Sequence, residues 1–232
     1  MSRLEYEARS DIGQDGPVAP MTFDADALEI RPPLQQRSRE AWERILDAGV
    51  ALLEEGGYEA FTIAAVCERA QVVPRAVYAR VNTKEGLFLA VYEHGIARFL
   101  AEQEVFTDPH RWAGLDPEQL IRAAVQALVN INTRYGAFLR AIVLISGVHP
   151  EVYRRGAGYS RRLGEAFTGL LLTVRSHINH LDPEAAAWAA FNMAFSTLIL
   201  RITYGPAFAT PSTDDDAFAE MLAEMLGRSL LR

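Results

Sequence analysis

Apolar residues recur at steps of three and four along the chain from about residue 38 onward. Such spacing is typical of amphipathic α-helices, which turn one apolar face toward a core. The first stretch of this kind has six such positions: Trp42, Ile45, Leu46, Gly49, Leu52 and Leu53. No segment alternates strictly between apolar and polar residues, as a half-buried strand does. The pattern therefore predicts an all-α fold.

Capping and helix-breaking residues predict the bounds of the first helices. Gly56-Gly57 ends the first helix, and Thr62 is expected to cap the second. Pro74 suits the first position of the third helix, because a proline has no backbone N–H that would be left unpaired there. Thr83 is expected to cap the fourth. These signals predict helices over about 38–55, 63–70, 74–81 and 84–103.

The rest of the chain carries the same kinds of signal. The sequence Asp-Pro-Glu occurs at 116–118 and at 182–184, where a cap, a proline and an acidic first turn favour a helix start. Gly156 and Gly158 are expected to weaken the longest helix. The predicted helices run over about 116–134, 138–146, 151–180, 182–204 and 214–230.

Composition and charge divide the chain into three parts. It has 232 residues, a net charge of −7 and a single cysteine, Cys67, which forms no intrachain disulfide. Because the N-terminal residues contain no apolar signal segment, a cytoplasmic location is expected. Residues 1–36 are rich in Gly and Pro and carry seven acids against three arginines, which predicts a flexible acidic arm. A small helical unit at 37–83 and a larger helical domain at 84–232 follow.

Two short helices joined by a tight turn, after a longer helix, form a predicted helix-turn-helix unit. The segment 69–84 contains no acid and four cations, which are Arg69, Arg75, Arg80 and Lys84. A major groove about 12 Å wide admits one α-helix. Arg75 lies in the first turn of the second of the two short helices, where this motif contacts base edges. This local charge favours double-stranded DNA as a partner, although the chain as a whole is acidic.

Residues 38–88 resemble the DNA-binding domain of the tetracycline-repressor (TetR) family. The family pattern is Arg with Ile-Leu-x-Ala, Gly-Tyr before a Thr-led helix, Leu-Tyr-x-x-Phe, and Ser-Lys-Glu. The corresponding segments here are Arg44-Ile45-Leu46-Asp47-Ala48, Gly57-Tyr58, Thr62, Val77-Tyr78-Ala79-Arg80-Val81 and Thr83-Lys84-Glu85. Residue type and spacing agree across several elements, so the resemblance is specific, although it covers roughly a fifth of the chain.

The resemblance implies a transcriptional repressor that binds a near-palindromic operator as a homodimer. It implies an N-terminal three-helix DNA-binding domain and a larger C-terminal helical domain that binds a small-molecule effector and dimerises through its last two helices. The residues implied to hold phosphates are Thr62, Tyr78 and Lys84. Those implied to face the groove are Pro74, Arg75, Ala76, Ala79 and Arg80, with Arg75 as the expected reader of a guanine.

Four positions depart from the family pattern. Gln71 stands where glycine is usual in the turn, and Val73 stands where a serine usually caps the recognition helix. Valine has no side-chain oxygen, and losing a Ser or Thr cap costs about 0.5–2 kcal/mol. Arg75 replaces a small residue, and Val81 replaces a phenylalanine. These changes concern operator affinity and the bases that are read more than the fold.

The larger domain contains polar residues on otherwise apolar helices and aromatic residues at helical spacing. Such residues are candidates for lining an effector pocket, although helix pairing and core packing also use them. The candidates are Asn130, Thr133, Phe138, Phe167, Asn192, Ser196 and Arg201. The helix at 184–204 is apolar nearly all round, which favours burial against a second chain.

Other classes of function find less support in the residues. His177, His180 and Asp182 lie close in sequence, but no further Cys, His or acid joins them, so neither a metal nor a cofactor is predicted. No Ser/His/Asp set or glycine-rich phosphate loop indicates an enzyme. The apolar stretch 185–202 is too polar for a membrane span. The main alternative is a ligand- or protein-binding helical module whose DNA-binding domain is weakened or vestigial.

Overall fold

The computed structural model describes residues 36–209 and 211–232. Within these ranges the chain forms helices and no strand, so the predicted all-α fold is confirmed. The first four helices are α1 (Gln36–Ala60), α2 (Ile63–Ala70), α3 (Pro74–Tyr78) and α4 (Lys84–Gln103). The others are α5 (Pro109–Trp112), α6 (Pro117–Arg134), α7 (Gly136–Ser146), α8 (Pro150–Leu171), α9 (Pro183–Tyr204) and α10 (Asp215–Leu231). The predicted acidic arm at 1–36 lies outside the described residues, apart from Gln36.

Two of the later helices, α6 and α9, begin at the predicted caps. The Asp116 carboxylate accepts from the Gln119 N–H at 2.8 Å, and the Gln119 side chain accepts from the Asp116 N–H at 3.2 Å, which completes a capping box. Asp182 and Asp214 cap α9 and α10 by accepting from the backbone N–H three residues later. Each of these caps satisfies a donor that the helix itself leaves unpaired.

The expected helix over 151–180 is shorter in the structure. α8 is continuous through Gly156 and Gly158 and ends at Leu171, after which a tighter 3-10 segment runs to His177 with a non-helical Val174. A glycine costs a helix about 1 kcal/mol relative to alanine. Because α8 packs against both α7 and α9, tertiary contacts outweigh that cost.

Close packing joins the N-terminal unit to α4. At Gly49 of α1, an added Cβ atom would lie 2.4 Å from a Val91 methyl group of α4, so a side chain has no room there. Asp47 Oδ1 of α1 is also 2.8 Å from His94 Nε2 and 2.8 Å from Arg98 Nη2 of α4. The helix-turn-helix unit is therefore seated directly on α4, which continues into the larger domain.

α9 is long and apolar enough, by composition alone, to match a membrane-spanning helix. Core helices of folded domains pass the same test. In this fold Ala187, Ala194 and Leu198 of α9 are buried against other helices, and Asp182 and Arg201 lie at its two ends. We therefore interpret α9 as a core helix with one uncovered face.

Candidate nucleic-acid interface and internal cavity

The turn between α2 and α3 positions the predicted recognition helix. Gln71 ends α2 in the left-handed conformation (φ 54°, ψ 47°), and its N–H donates to the Glu68 carbonyl at 3.1 Å. Val73 is extended, and α3 begins at Pro74 with no side-chain cap. Two departures from the family pattern therefore lie in this turn. Gln71 is a non-glycine residue in a strained conformation, and Val73 leaves α3 without a side-chain cap.

α3 is held from beneath by its apolar residues. Val77 and Val81 are buried in the core, and Ala76 is half-buried against it. The opposite face consists of exposed residues, which are Pro74, Arg75, Tyr78 and Ala79. Among the described residues, no hydrogen bond or ion pair engages the Arg75 side chain. Arg75 is thus presented outward from an anchored helix.

Two other predicted DNA contacts are oriented by α1. The Arg80 guanidinium is half-buried and donates to the Ser38 hydroxyl. Lys84 Nζ lies 4.3 Å from the centroid of the Tyr58 ring. A cation–π contact of this kind orients an ammonium group and leaves its charge in place. The N-terminal unit therefore holds both cations near α3.

Two threonine caps stand beside these cations. The Thr62 hydroxyl oxygen accepts from the Ala65 N–H at 3.1 Å, and that of Thr83 accepts from the Gly86 N–H at 3.0 Å. Both residues are exposed, so each hydroxyl hydrogen remains available to a phosphate oxygen. Thr62 is a predicted phosphate contact. Thr83 is an additional candidate that follows from its capping position next to Lys84.

Arg69, the remaining cation of the segment, is engaged within the fold. Its guanidinium donates to both carboxylate oxygens of Glu55 at 2.5 and 2.6 Å. This pairing holds the pKa of the Glu55 carboxyl below its ordinary value, chiefly through the hydrogen bond. Arg69 therefore ties α2 to α1 and leaves α3 and Lys84 as the cationic face.

The sequence of this unit matches a known family. Residues 45–91 match the model of the bacterial regulatory proteins of the tetR family. The matched segment contains most of α1, the whole α2–α3 unit and the first turns of α4. This N-terminal segment is therefore similar in sequence to the regulatory proteins of the tetR family. The resemblance expected from the sequence is therefore confirmed.

The fold of the described residues is similar to that of solved structures, several of them from TetR-family proteins. A TetR-family protein of Mesorhizobium loti is 18% identical, with a TM-score of 0.67 over 85% of this chain and 100% of its own. A tetR-family regulatory protein of Rhodococcus RHA1 is 23% identical, with a TM-score of 0.61 over 82% and 96%. The fatty acid degradation regulator of Bacillus halodurans is 18% identical, with a TM-score of 0.59 over 80% and 94%. No curated protein matches the sequence.

The larger domain contains a partly open cavity of about 250 Å³. Its wall is formed by α4, α6, α7, α8 and α9, and most of it is aliphatic or aromatic. One face of α4 contributes Tyr92, Ile96, Phe99 and Gln103. A concave, mostly apolar space with a few polar groups is typical of small-molecule sites.

Three charged and polar groups beside the cavity join α4 to α8. Glu93 of α4 is buried, and its carboxylate accepts from the Arg155 guanidinium and from the Tyr159 hydroxyl, the latter at 2.8 Å. Arg155 also donates to Glu151 at 2.5 Å. Burial is the main cause that raises the pKa of Tyr159, and its bond to Glu93 adds to the effect. The cluster fixes the cavity wall of α8 to the helix that leads to Lys84.

The polar residues predicted as effector contacts do not line this cavity. Thr133 donates to the Val129 carbonyl of its own helix at 3.0 Å. Arg201 is 2.8 Å from the Asp215 carboxylate and stacks 4.7 Å from the Phe218 ring, in a separate crevice between α9 and α10. The remaining three are exposed on helix surfaces: Asn130, Asn192 and Ser196. In this arrangement these groups take part in helix pairing or face outward.

The two predicted aromatic contacts also lie outside the cavity wall. A Cβ atom added to Gly95 would be 2.3 Å from the Phe138 ring, so Phe138 packs directly on α4. Phe167 lies 5.7 Å from the Phe106 ring and 5.8 Å from the Phe191 ring, measured between centroids. Both are buried core residues. Helical spacing predicts that these residues are buried. It does not predict which face of a helix lines the cavity, because that depends on how the helices pack.

The histidine pair singled out in the sequence has no third metal-binding side chain arranged beside it in the described part of the chain. His177 and His180 are exposed, and His180 Nδ1 is 2.7 Å from the Asp182 carbonyl oxygen. Within the described ranges, no group of three His, Cys, Asp or Glu residues is arranged to hold a metal ion.

Proposed function

We propose that the chain is a transcriptional repressor that binds a near-palindromic operator and is released by a small molecule. The role is regulatory rather than catalytic, and it is exercised in the cytoplasm. The observation that carries the proposal is the presentation of Arg75, which is exposed and unengaged among the described residues, on a helix anchored by buried Val77. Arg75 reads a guanine, while Thr62, Tyr78 and Lys84 hold phosphates.

A second copy of the chain would cover the uncovered apolar faces of the last two helices. The exposed large apolar residues there are Met193, Leu200 and Tyr204 on α9 and Met221 and Met225 on α10. Two helices from each chain would form a four-helix interface about a two-fold axis. Such a dimer would place its recognition helices in successive major grooves about 34–36 Å apart, which accounts for a near-palindromic operator.

α8 would transmit effector binding to the DNA-binding domain. Gly156 and Ser160 of α8 line the cavity, and the N-cap residue of this helix, His149, touches α4. His149 Nε2 lies 3.6 Å from the Glu85 carboxylate, and its ring centroid lies 5.5 Å from that of Phe88. A ligand that fits one arrangement of α8 better would shift the first turn of α4, next to Lys84, through its differential affinity.

The experiment that tests this function is footprinting on the DNA that flanks the chain's own coding sequence, followed by mobility shifts at several salt concentrations. A regulator protects a near-palindromic site, and its affinity falls steeply as salt rises. Lys84→Ala should weaken binding to all sequences alike, because it removes a phosphate contact. Arg161→Ala, which removes an exposed arginine of α8, is the matched control and should bind as the wild type does.

Two observations favour a second candidate function, a ligand- or protein-binding module with a weakened DNA-binding domain. These are the left-handed Gln71 and the missing cap at Val73. A folded dimer that shifts no duplex at low ionic strength would support this alternative and contradict the repressor.

A further inference from the structure

Two polar atoms in the cavity wall are buried without a partner. Tyr92 is fully buried and Asn132 is 1% exposed, and neither the Tyr92 hydroxyl nor Asn132 Oδ1 has a hydrogen-bond partner among the described residues. The hydroxyls of Ser146 and Tyr159, which also line the cavity, already donate to Val143 and Glu93. Because buried polar groups are nearly always hydrogen-bonded, these two atoms point to a bound molecule.

The surroundings of each atom define its role in a hydrogen bond. Asn132 Nδ2 donates to the Leu128 carbonyl at 2.8 Å. Since a carbonyl oxygen only accepts, the amide nitrogen must face it, and Oδ1 remains as a free acceptor. Burial raises the pKa of Tyr92, so its hydroxyl is protonated and able to donate. A molecule that satisfies both must accept one hydrogen bond and donate another.

The cavity wall carries no charge. No Asp, Glu, Lys, Arg or His is among the described residues that line it. Arg155, which precedes the lining residue Gly156 in the sequence, is already held by the carboxylates of Glu93 and Glu151. A carboxylate that entered the cavity would lose its hydration without meeting a free cation, and an ammonium would lose its hydration without meeting a free carboxylate. The cavity therefore favours an uncharged occupant.

The volume limits the size of that occupant. The cavity measures about 250 Å³. An apolar cavity of about 150 Å³ binds benzene, so by proportion this one holds about ten non-hydrogen atoms.

Resting on the proposed effector role, we propose that the effector is an uncharged, mostly apolar molecule of this size that bears one hydroxyl or amide group. That group accepts a hydrogen bond from Tyr92 and donates one to Asn132. A hydroxyl group can both accept and donate a hydrogen bond, and so can a primary amide. A fatty acid anion does not fit, because it is charged and its carboxylate has no hydrogen to donate to Asn132.

The test compares 1-octanol, octanamide, octanoate, octylammonium and octane, which share one alkyl chain, by calorimetry on the full-length protein at neutral pH. Octanol and octanamide should bind at least about tenfold more tightly than the two ions, because only the ions pay for burying a charge. Octane should bind about fivefold more weakly than octanol, because it makes no hydrogen bond. Octanoate binding as tightly as octanol, or no binding of either neutral polar ligand, overturns the proposal.

Variants identify the two anchors. Tyr92→Phe and Asn132→Leu should each weaken octanol binding about fivefold and leave octane binding unchanged. Tyr135→Phe removes a tyrosine hydroxyl that bonds to Glu102 outside the cavity, and Asn130→Leu removes an exposed amide one half-turn away. Both controls should bind octanol as the wild type does. An unchanged octanol affinity in Tyr92→Phe and in Asn132→Leu overturns the assignment.

Release of DNA is measured separately with the same ligands. Octanol that binds through Tyr92 and Asn132 supports the ligand class even where it leaves DNA binding unchanged, and that result contradicts the repressor mechanism alone. Octanoate that releases DNA while octanol does not supports an effector-controlled regulator and overturns the neutral-ligand proposal.

Discussion

The start and the middle of α4 face opposite kinds of surroundings. At its start, Lys84 lies over Tyr58 on an exposed cationic surface. About 12 Å further along, at 1.5 Å per residue, Tyr92 faces a cavity without a charged wall. Charge at the exposed end acts over distance, on any DNA sequence, and is screened by salt. The cavity-lining middle acts through shape and hydrogen bonds, so the two parts of one helix face two different chemistries.

The difference extends to the ion pairs of the two regions. In the DNA-binding domain, Arg69 and Glu55 pair in contact with solvent. Beside the cavity, Glu93 and Arg155 pair with side chains only 11% and 14% exposed. Exposed pairs contribute little to stability, whereas breaking a buried pair leaves a charge without hydration. The two pairs should therefore respond very differently to the same substitution.

Glu93→Gln should have the largest effect. It removes the carboxylate that accepts from Arg155 and Tyr159, and we expect the free energy of unfolding to fall by about 3 kcal/mol. The measurement is urea unfolding followed by circular dichroism. Glu55→Gln is the matched control in the DNA-binding domain and should leave the midpoint unchanged. Equal losses in the two variants would contradict the contrast between the regions.

Arg75→Ala tests the exposed cationic surface that α3 forms together with Lys84. We expect operator binding to weaken by about 2 kcal/mol, with relaxed specificity at one base pair, because a bidentate contact to guanine is lost. The measurement is a mobility-shift assay on operators substituted one position at a time. A loss that is equal for every base substitution would refute the reading role of Arg75. Octanol binding at the cavity should not change.

The placement of the residues proposed to contact DNA could be predicted from the sequence, because these residues lie within 23 consecutive positions. Thr62, Pro74 and Thr83 are local signals, and the structure places each at the helix start that the sequence predicts. The bounds of α2 follow from the same local rules. Engagement of Arg80 by Ser38 was not predictable, since it joins residues 42 positions apart.

The cavity was not predictable from the sequence. Its wall combines five helices from Tyr92 to Ile199, and an empty space depends on where side chains fail to meet. Asn130 and Asn132 are both polar residues on α6, yet one is exposed and the other is buried beside the cavity. The periodicity of apolar residues predicted helix α6, but it did not show which of the two side-chain amides lacks a hydrogen-bond partner.

Gln71→Gly tests the strain in the turn of the DNA-binding domain. Because an L-residue at φ 54° is disfavoured and glycine is not, we expect the unfolding free energy to rise by about 1 kcal/mol. Gly57→Ala is the reverse test at φ +65° and should destabilise the protein by a similar amount. Thermal unfolding of both variants measures the effect. A destabilised Gln71→Gly variant would show that the Gln71 side chain contributes more than its backbone strain costs.

The smallest expected effect is a pH dependence at the start of α8, midway between the two regions. Hydrogen bonds from Arg154, which has the larger effect, and from Arg155 lower the pKa of Glu151 from an ordinary 4.5 to about 2. Because the folded pKa lies below the unfolded one, this stabilisation is complete above about pH 4.5 and is lost as pH falls toward 2. The Glu151 side chain is 31% exposed, so solvent screening limits the contribution to about 1 kcal/mol.

Glu151→Gln should therefore flatten the fall in unfolding free energy between pH 4.5 and 2. The measurement is urea unfolding at a series of pH values. Arg154→Ala removes the hydrogen bond that lowers the pKa of Glu151 most. We expect this variant to flatten the fall in unfolding free energy over the same pH range, but less than Glu151→Gln does, since the Arg155 hydrogen bond remains. A Glu151→Gln profile parallel to the wild type would show that the carboxylate is as free in the folded state as in the unfolded one.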